Sequence, residues 1–213
     1  MLHKETVSSS TLELLRKLMS DPSLKNFVLV GGTSLALQMG HRISVDLDLF
    51  TNLPFDENEL AEHLVSEYNF EMDFISQRTL KGEIRGVQID CIAHQYPWVE
   101  AFREEEDIRL VGYKDLAAMK LNAISGNGSR IKDFIDVAFL SCEISLTEML
   151  LAYELKYKAS SIIPLKSMVF FDEINFNEPI KMLGNSRFNW RKIEKRLYEM
   201  QKHPDKTFSP ISF

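Results

Sequence analysis

Residues 28–50 read VLVGGTSLALQMGHRISVDLDLF, and their reading decides the fold. Phe27 to Val30 is an apolar run with the look of a buried strand, and it ends on Gly31-Gly32. Ser34 to Met39 then supplies good helix formers, so a helix is expected to open at Ser34-Leu35. Val45 to Phe50 alternates strictly and predicts a second strand. In a strand, side chains at i and i+2 share a face, so Asp46 and Asp48 point together while Val45, Leu47 and Leu49 point away. Two adjacent carboxylates repel unless a cation or a proton lies between them. Hard divalent ions favour such oxygen ligands and keep places for water and phosphates. A Gly-Gly turn lets a backbone approach a ligand closely, and a helix N-terminus attracts anions. The hydroxyls of Thr33 and Ser34 could donate to phosphate oxygens. Turn and carboxylates together form a pattern suited to a metal-nucleotide.

Outward from this stretch, residues 10–19 have the spacing of an amphipathic helix, and 56–66 begin with an acidic cap and continue as another. EMDFISQ, TLKGEIRG and VQIDCIAH read as strands with a turn near Lys81-Gly82. In the last of these, Val87, Ile89 and Cys91 share one face and Gln88, Asp90 and Ile92 the other. If this strand lies beside VDLDLF, Asp90 would complete a three-carboxylate set able to hold two ions for an in-line phosphoryl displacement. From residue 113 the pattern turns helical: YKDLAAMKLNAIS, IKDFIDVAFLSC, SLTEMLLAYELKYK and FNWRKIEKRLYEMQK. The last mixes bases with Phe188, Trp190 and Tyr198; it could touch RNA, but the spacing favours an amphipathic helix packing its aromatics inward. The division predicted is a core over 1–105 and a helical region over 106–213.

The bulk properties narrow the classes. With 213 residues and 45% hydrophobic residues the chain can build one substantial core. A net charge of −6 argues against a large nonspecific nucleic-acid surface but leaves room for a local basic cleft. Five scattered histidines give no zinc spacing, and Gly-x-Ser-x-Gly is absent. Cys91 and Cys142 sit in apolar contexts, as buried free thiols of a reducing cytoplasm would. No run of apolar residues reaches transmembrane length, and no signal-peptide pattern opens the sequence, so no membrane association is expected.

GGTSLALQMGHRISVDLDLF resembles the signature of AbiEii-type nucleotidyltransferases, the toxin half of abortive-infection toxin–antitoxin pairs, within the polymerase-beta-like nucleotidyltransferase superfamily. YKDLAAMKLNAISGNGSRIKDFIDVAFL is similar to that family's second segment, a helix with Lys, then Arg, then K-D-x-x-D. The resemblance spans roughly residues 25–140. It implies an α+β fold: a mixed sheet with flanking helices, followed by a mainly helical C-terminal part. It implies Mg2+, or Mn2+, held by Asp46 and Asp48 with Asp90 as third carboxylate. Gly31, Gly32, Thr33 and Lys120 would hold the phosphates, and Asp133 or Asp136 would orient Lys120 or touch the nucleotide. Arg130 and Lys132 form a small basic cluster at the start of the next helix, and with Lys120 would make a positive wall for the triphosphate. His41-Arg42 could touch the nucleotide, or Arg42 could brace Asp46 or Asp48. The activity implied is transfer of NMP from an NTP to an acceptor hydroxyl on tRNA or another RNA, with a cognate antitoxin protein as partner. A small-molecule or protein acceptor, and a silent nucleotide-binding fold, are the rival readings.

Overall fold

The computed structural model describes residues 1–184 and 187–213. Tertiary contacts divide these into two units. The first comprises Met1–Gly40 and Ser44–Val111, the second His41–Ile43 and Gly112–Phe213. The junction lies at Val111/Gly112 rather than 105/106, because a short hairpin after residue 102 belongs to the sheet of the first unit.

In that unit, helix α1 (Ser9–Ser20) starts where the Ser8 hydroxyl accepts the Thr11 N–H, and it buries Leu14, Leu15, Leu18 and Met19. Strand β1 (Val28–Val30) is buried throughout and runs directly into helix α2 (Gly31–Met39). The helix therefore opens one turn earlier than expected, so that the two glycines are themselves its first residues. Strand β2 is Leu47–Thr51, which leaves Val45 and Asp46 exposed just ahead of the ladder. Helix α3 (Glu57–Tyr68) is capped by Asp56, whose carboxylate accepts the Asn58 and Glu59 N–H groups.

Strands β3 (Glu71–Ser76), β4 (Thr79–Ile84) and β5 (Val87–Ala93) form a meander, and β6 (Arg103–Glu105) and β7 (Ile108–Leu110) a short hairpin. Among the described residues the seven strands make one sheet in the order β3-β4-β5-β2-β1-β7-β6. β2 runs parallel to β5 and β1 parallel to β7; β1–β2, β3–β4, β4–β5 and β6–β7 are antiparallel, so the sheet is mixed. The expected turn at Lys81-Gly82 is instead the middle of β4, and the chain reverses at Gln77-Arg78 and Arg85-Gly86. Glycine is needed at 82 for a packing reason: a Cβ there would strike the Phe70 ring and the Glu71 carbonyl of the neighbouring strand.

One face of the sheet is closed by the core. Leu47 and Leu49 of β2, Leu80 and Ile84 of β4, and Ile89 and Cys91 of β5 are all buried against α1 and α3 side chains such as Leu15, Leu18 and Leu64. The other face carries the polar alternates, and it is the face that matters below.

The second unit is helical: α4 (Tyr113–Gly126), α5 (Ile131–Leu140), α6 (Leu146–Tyr157), the short α7 (Ile162–Ser167) and α8 (Trp190–Lys202). Ser145 and Glu148 form a reciprocal capping box at the start of α6. α8 buries Ile193, Leu197 and Met200, and Trp190 stands edge-on to Phe134, Phe171 and Phe176, whereas Tyr198, although its ring meets Phe171, is 41% exposed, so the aromatic residues pack inward only in part. Residues 41–43 join this unit through a backbone bridge between Arg42 and Met182 and the Ile43 N–H to the Lys181 carbonyl. Cys91 is buried, whereas Cys142 is only partly so; both are free thiols. Among the described residues no helix is long and apolar enough to cross a membrane.

Candidate active site

The second face of the sheet, buried at β1 and partly exposed at Asp48 and Asp90, is organised by register. Val30, Asp48, Asp90, Lys81 and Phe74 are successive partners across β1, β2, β5, β4 and β3. Directly paired residues show their side chains on one face, so Asp48 and Asp90 stand side by side on adjacent parallel strands, about 4.8 Å apart in the backbone. Both are partly exposed, and Asp46 is exposed two residues upstream of Asp48. The expectation that the VQIDCIAH strand lies beside VDLDLF is met residue by residue.

Gly31 closes this arrangement from above. It sits at φ +67°, and a Cβ built there would collide with the carboxylate of Asp48. The position thus demands glycine twice, for its backbone angle and for the space it yields to Asp48. Val30, the residue before the helix, contributes no capping side chain, and the first N–H groups of α2 form an anion-attracting terminus at the end of the strand that aligns with Asp48. Gly31 and Gly32 are partly exposed.

Thr33 and Ser34 are turned inward. The buried Thr33 hydroxyl donates to the Asp46 carbonyl and to the Ser44 hydroxyl, the latter at 2.9 Å. The Ser34 hydroxyl accepts from the Gln38 side chain at 3.0 Å. Thr33 thereby fixes the 44–46 segment that delivers Asp46 and Asp48, and its hydroxyl is engaged by the backbone rather than presented to solvent.

Lys81, in the middle of β4 rather than in the turn expected there, forms an ion pair with Asp90 across the β4–β5 ladder. The signal was available: TLKGEI facing VQIDCI in a hairpin puts Lys81 opposite Asp90. Among the described residues no three carboxylate, imidazole or thiol groups converge closely enough to hold an ion as they stand. The reason is visible at both ends of the set, with Asp90 drawn to Lys81 and Asp46 turned out to solvent. The donors nevertheless fit a hard cation, since two in-register carboxylates beside an open helix terminus leave the remaining positions to water and phosphate oxygens. Cys91 lies on the opposite, closed face; burial, with the nearby charge of Asp90, pushes its thiol up to about 12 and removes it as a nucleophile.

The second block of the sequence folds into a different object, in the second unit. Asp136, on α5, accepts a bidentate pair from Arg42, Nε at 2.7 Å and Nη2 at 2.9 Å. It also receives His41 Nε2 at 2.8 Å and Lys120 Nζ at 2.7 Å. Lys120, on α4, reaches Asp133 Oδ1 as well, at 2.6 Å. All five residues are buried. Arg42 therefore braces Asp136, not Asp46 or Asp48, and its whole guanidinium edge is occupied in doing so. Lys132, at the rim, pairs with Glu178 at 3.0 Å.

Burial alone would push the Asp136 carboxyl up; the charges of Arg42 and Lys120 and the bonds from Arg42 and His41 overcome it and hold the group well below the usual carboxylate range. Burial would likewise lower Lys120, yet Asp133 and Asp136 raise it above its ordinary value. Burial keeps the His41 imidazole below its ordinary value despite the pull of Asp136. An ionised carboxylate can only accept, so His41 carries its proton on Nε2. Two cations thus balance two carboxylates around a neutral imidazole. Among the described residues, His41 Nδ1 and Asp133 Oδ2 find no hydrogen-bond partner.

Comparison with known proteins agrees with the first unit's outline. A family model described as the nucleotidyl transferase AbiEii toxin of a Type IV toxin–antitoxin system matches residues 13–110, ending one residue short of the unit boundary. An uncharacterized protein of Aquifex aeolicus is 32% identical over 169 residues, which is 76% of this chain and 81% of the relative. Among solved structures, JHP933 from Helicobacter pylori superposes with a TM-score of 0.57 at 14% identity over 93% of both chains. The antibiotic-resistance factor ANT(2'')-Ia gives 0.54 at 13% identity, over 68% of this chain and 90% of that one. The two structural likenesses establish a shared polymerase-beta-like nucleotidyltransferase fold. With the glycine turn, the DLD strand and its in-register Asp90 standing on that fold, the chain belongs to the AbiEii family of nucleotidyltransferases.

Proposed function

We propose that the open face of the first unit transfers NMP from an NTP to an acceptor hydroxyl on RNA, with tRNA the leading candidate, and that the chain acts as the toxin of a pair restrained by a cognate antitoxin in the cytoplasm. The observation that carries the reading is the register pairing of Asp48 with Asp90 beneath Gly31, where the missing Cβ makes room for a carboxylate. The N–H groups at the start of α2 would receive the phosphates, backed by the helix dipole. Asp46 and Asp48 would hold Mg2+ or Mn2+, with Asp90 beside them, and the bound ion would neutralise triphosphate charge and favour the acceptor alkoxide. The acceptor oxygen forms a bond to the α-phosphorus as the bond from that phosphorus to the bridging oxygen breaks, and pyrophosphate leaves. Asp90 would take the acceptor's proton, a role supported by its register beside Asp48, with the Lys81 ion pair compensating its charge. Thr33 keeps the Asp46–Asp48 segment in place throughout.

The test uses the full chain with each labelled NTP in turn, Mg2+ and total tRNA, beside an Asp48→Asn control. Label on RNA, absent from the control, is the expected result. Label on protein or on small molecules alone would overturn the RNA acceptor, and binding of no NTP would overturn the transferase reading.

A further inference from the structure

The face that carries the carboxylates also carries rings. Phe50 follows Asp48 by two residues on β2 and so shares its face, and its partner on β5 is Ile92, two residues beyond Asp90. His94 continues that line past the end of the strand, held by its N–H to the Thr51 carbonyl at 2.8 Å. The Phe50 and His94 rings lie 5.7 Å apart at 39°, and His94 and Tyr96 4.7 Å apart at 50°. Phe50, Ile92 and His94 are partly exposed, and Tyr96 is 43% exposed.

They stand outside the hydrophobic cluster that closes the opposite face of these strands. The residues that close the core from these strands are the alternates Leu47, Leu49, Ile89 and Cys91 on the other face. Three aromatic rings in tilted contact with one another, each at least partly exposed, lie one strand repeat from the two carboxylates. Aromatic side chains on an open sheet face suit stacking by any nucleobase, since every base presents a π-face. A nucleotide reacting at Asp48 carries its base one sugar away, a span comparable to the two-residue step along the strand from Asp48 to Phe50.

We propose that Phe50, His94 and Tyr96 form a base-stacking subsite that positions a nucleobase beside the Asp48–Asp90 pair. The inference rests on the nucleotidyl-transfer reading of that pair. The base belongs either to the incoming NTP or to the acceptor's terminal nucleotide; the chemistry recognised is the same planar ring.

2-Aminopurine, whose fluorescence is quenched by stacking, separates these sources without any turnover. The full chain is titrated with 2-aminopurine riboside triphosphate and, separately, with a short RNA ending in 3′-terminal 2-aminopurine. Quenching of one probe by the native chain is expected, and the probe that responds names the source. Tyr96→Ala should weaken that binding roughly tenfold or more, and Phe50→Leu should do so too. Tyr96→Phe, which keeps the ring, should restore it. Thermal melting of each variant shows whether it is folded, and Tyr96 is exposed enough for truncation to be tolerated. Absence of quenching in a native chain that still transfers label overturns the shelf and leaves the transferase standing. Quenching unchanged in Tyr96→Ala and Phe50→Leu overturns it as well. A native chain that neither binds nor transfers any nucleotide overturns the reading beneath it.

Discussion

The two units each gather aspartates around a lysine, and they put them to opposite uses. In the first, Asp46, Asp48 and Asp90 lie in or near solvent with Lys81 as a half-exposed partner to one of them. In the second, Asp133 and Asp136 are sealed away with Arg42, Lys120 and a neutral His41. Burial is what separates them. Charges in a low-dielectric interior must be balanced by the protein itself, and here they are, two against two. Carboxylates on a partly exposed sheet face stay hydrated, and the surrounding water shares in offsetting their charge.

The sharpest way to break this contrast is Asp136→Ala. It strands Arg42 and Lys120 without their carboxylate, and the expected loss of stability is about 3–5 kcal/mol, read by urea denaturation. A loss within that of an ordinary surface change would mean that the cluster is not the closed network described. Asp48→Asn should do the reverse. Stability is expected to hold within about 0.5–1 kcal/mol, while label transfer falls by roughly two to three orders of magnitude.

A pH titration sharpens the buried side. Burial holds His41 below its ordinary value of 6.5 in the folded chain, so below that pH the unfolded chain binds a proton that the folded one refuses. Its stabilisation is therefore complete above pH 6.5 and declines as pH falls toward the folded value, by at most about 1.4 kcal/mol per pH unit. Denaturation curves between pH 7 and 5 should show that slope in the native chain and a flatter one in His41→Gln; equal slopes would assign the proton uptake elsewhere. The smallest effect concerns Lys81. Lys81→Met removes the cation beside Asp90 and should tighten Mn2+ binding roughly fivefold, about 1 kcal/mol, measured by paramagnetic resonance of the free ion. Weaker binding would show that Lys81 supports the ion site rather than competes with it.

These contrasts also explain what one sequence discloses. The strand at VDLDLF was legible because period-two alternation is local, and Asp90 was legible as a face assignment because VQIDCIAH alternates too. Gly82 misled because glycine marks turns in general, whereas here it yields space to Phe70. β6 and β7 have three residues each, too short for any periodicity to show. The partner of Arg42 is 94 residues downstream, and nothing near HRIS announces it. The second segment singles out Lys120, Asp133 and Asp136 but not their burial, since a lysine on a helix reads as solvated until its neighbours are known.

The placement of residues 41–43 has a consequence for how the chain is made. Arg42 is synthesised inside the stretch that becomes the first unit, yet its carboxylate emerges 94 residues later, a wait of roughly 5–20 s at ordinary elongation rates. During that interval the nascent sheet can form while the strap at 41–43 stays unsatisfied. No single cut of the chain yields both units whole: a fragment ending at Val111 keeps Arg42 and loses Asp136, and its complement has the reverse defect. The halves are tied by thread order, and an expression strategy that treats them as separable modules would make two incomplete proteins.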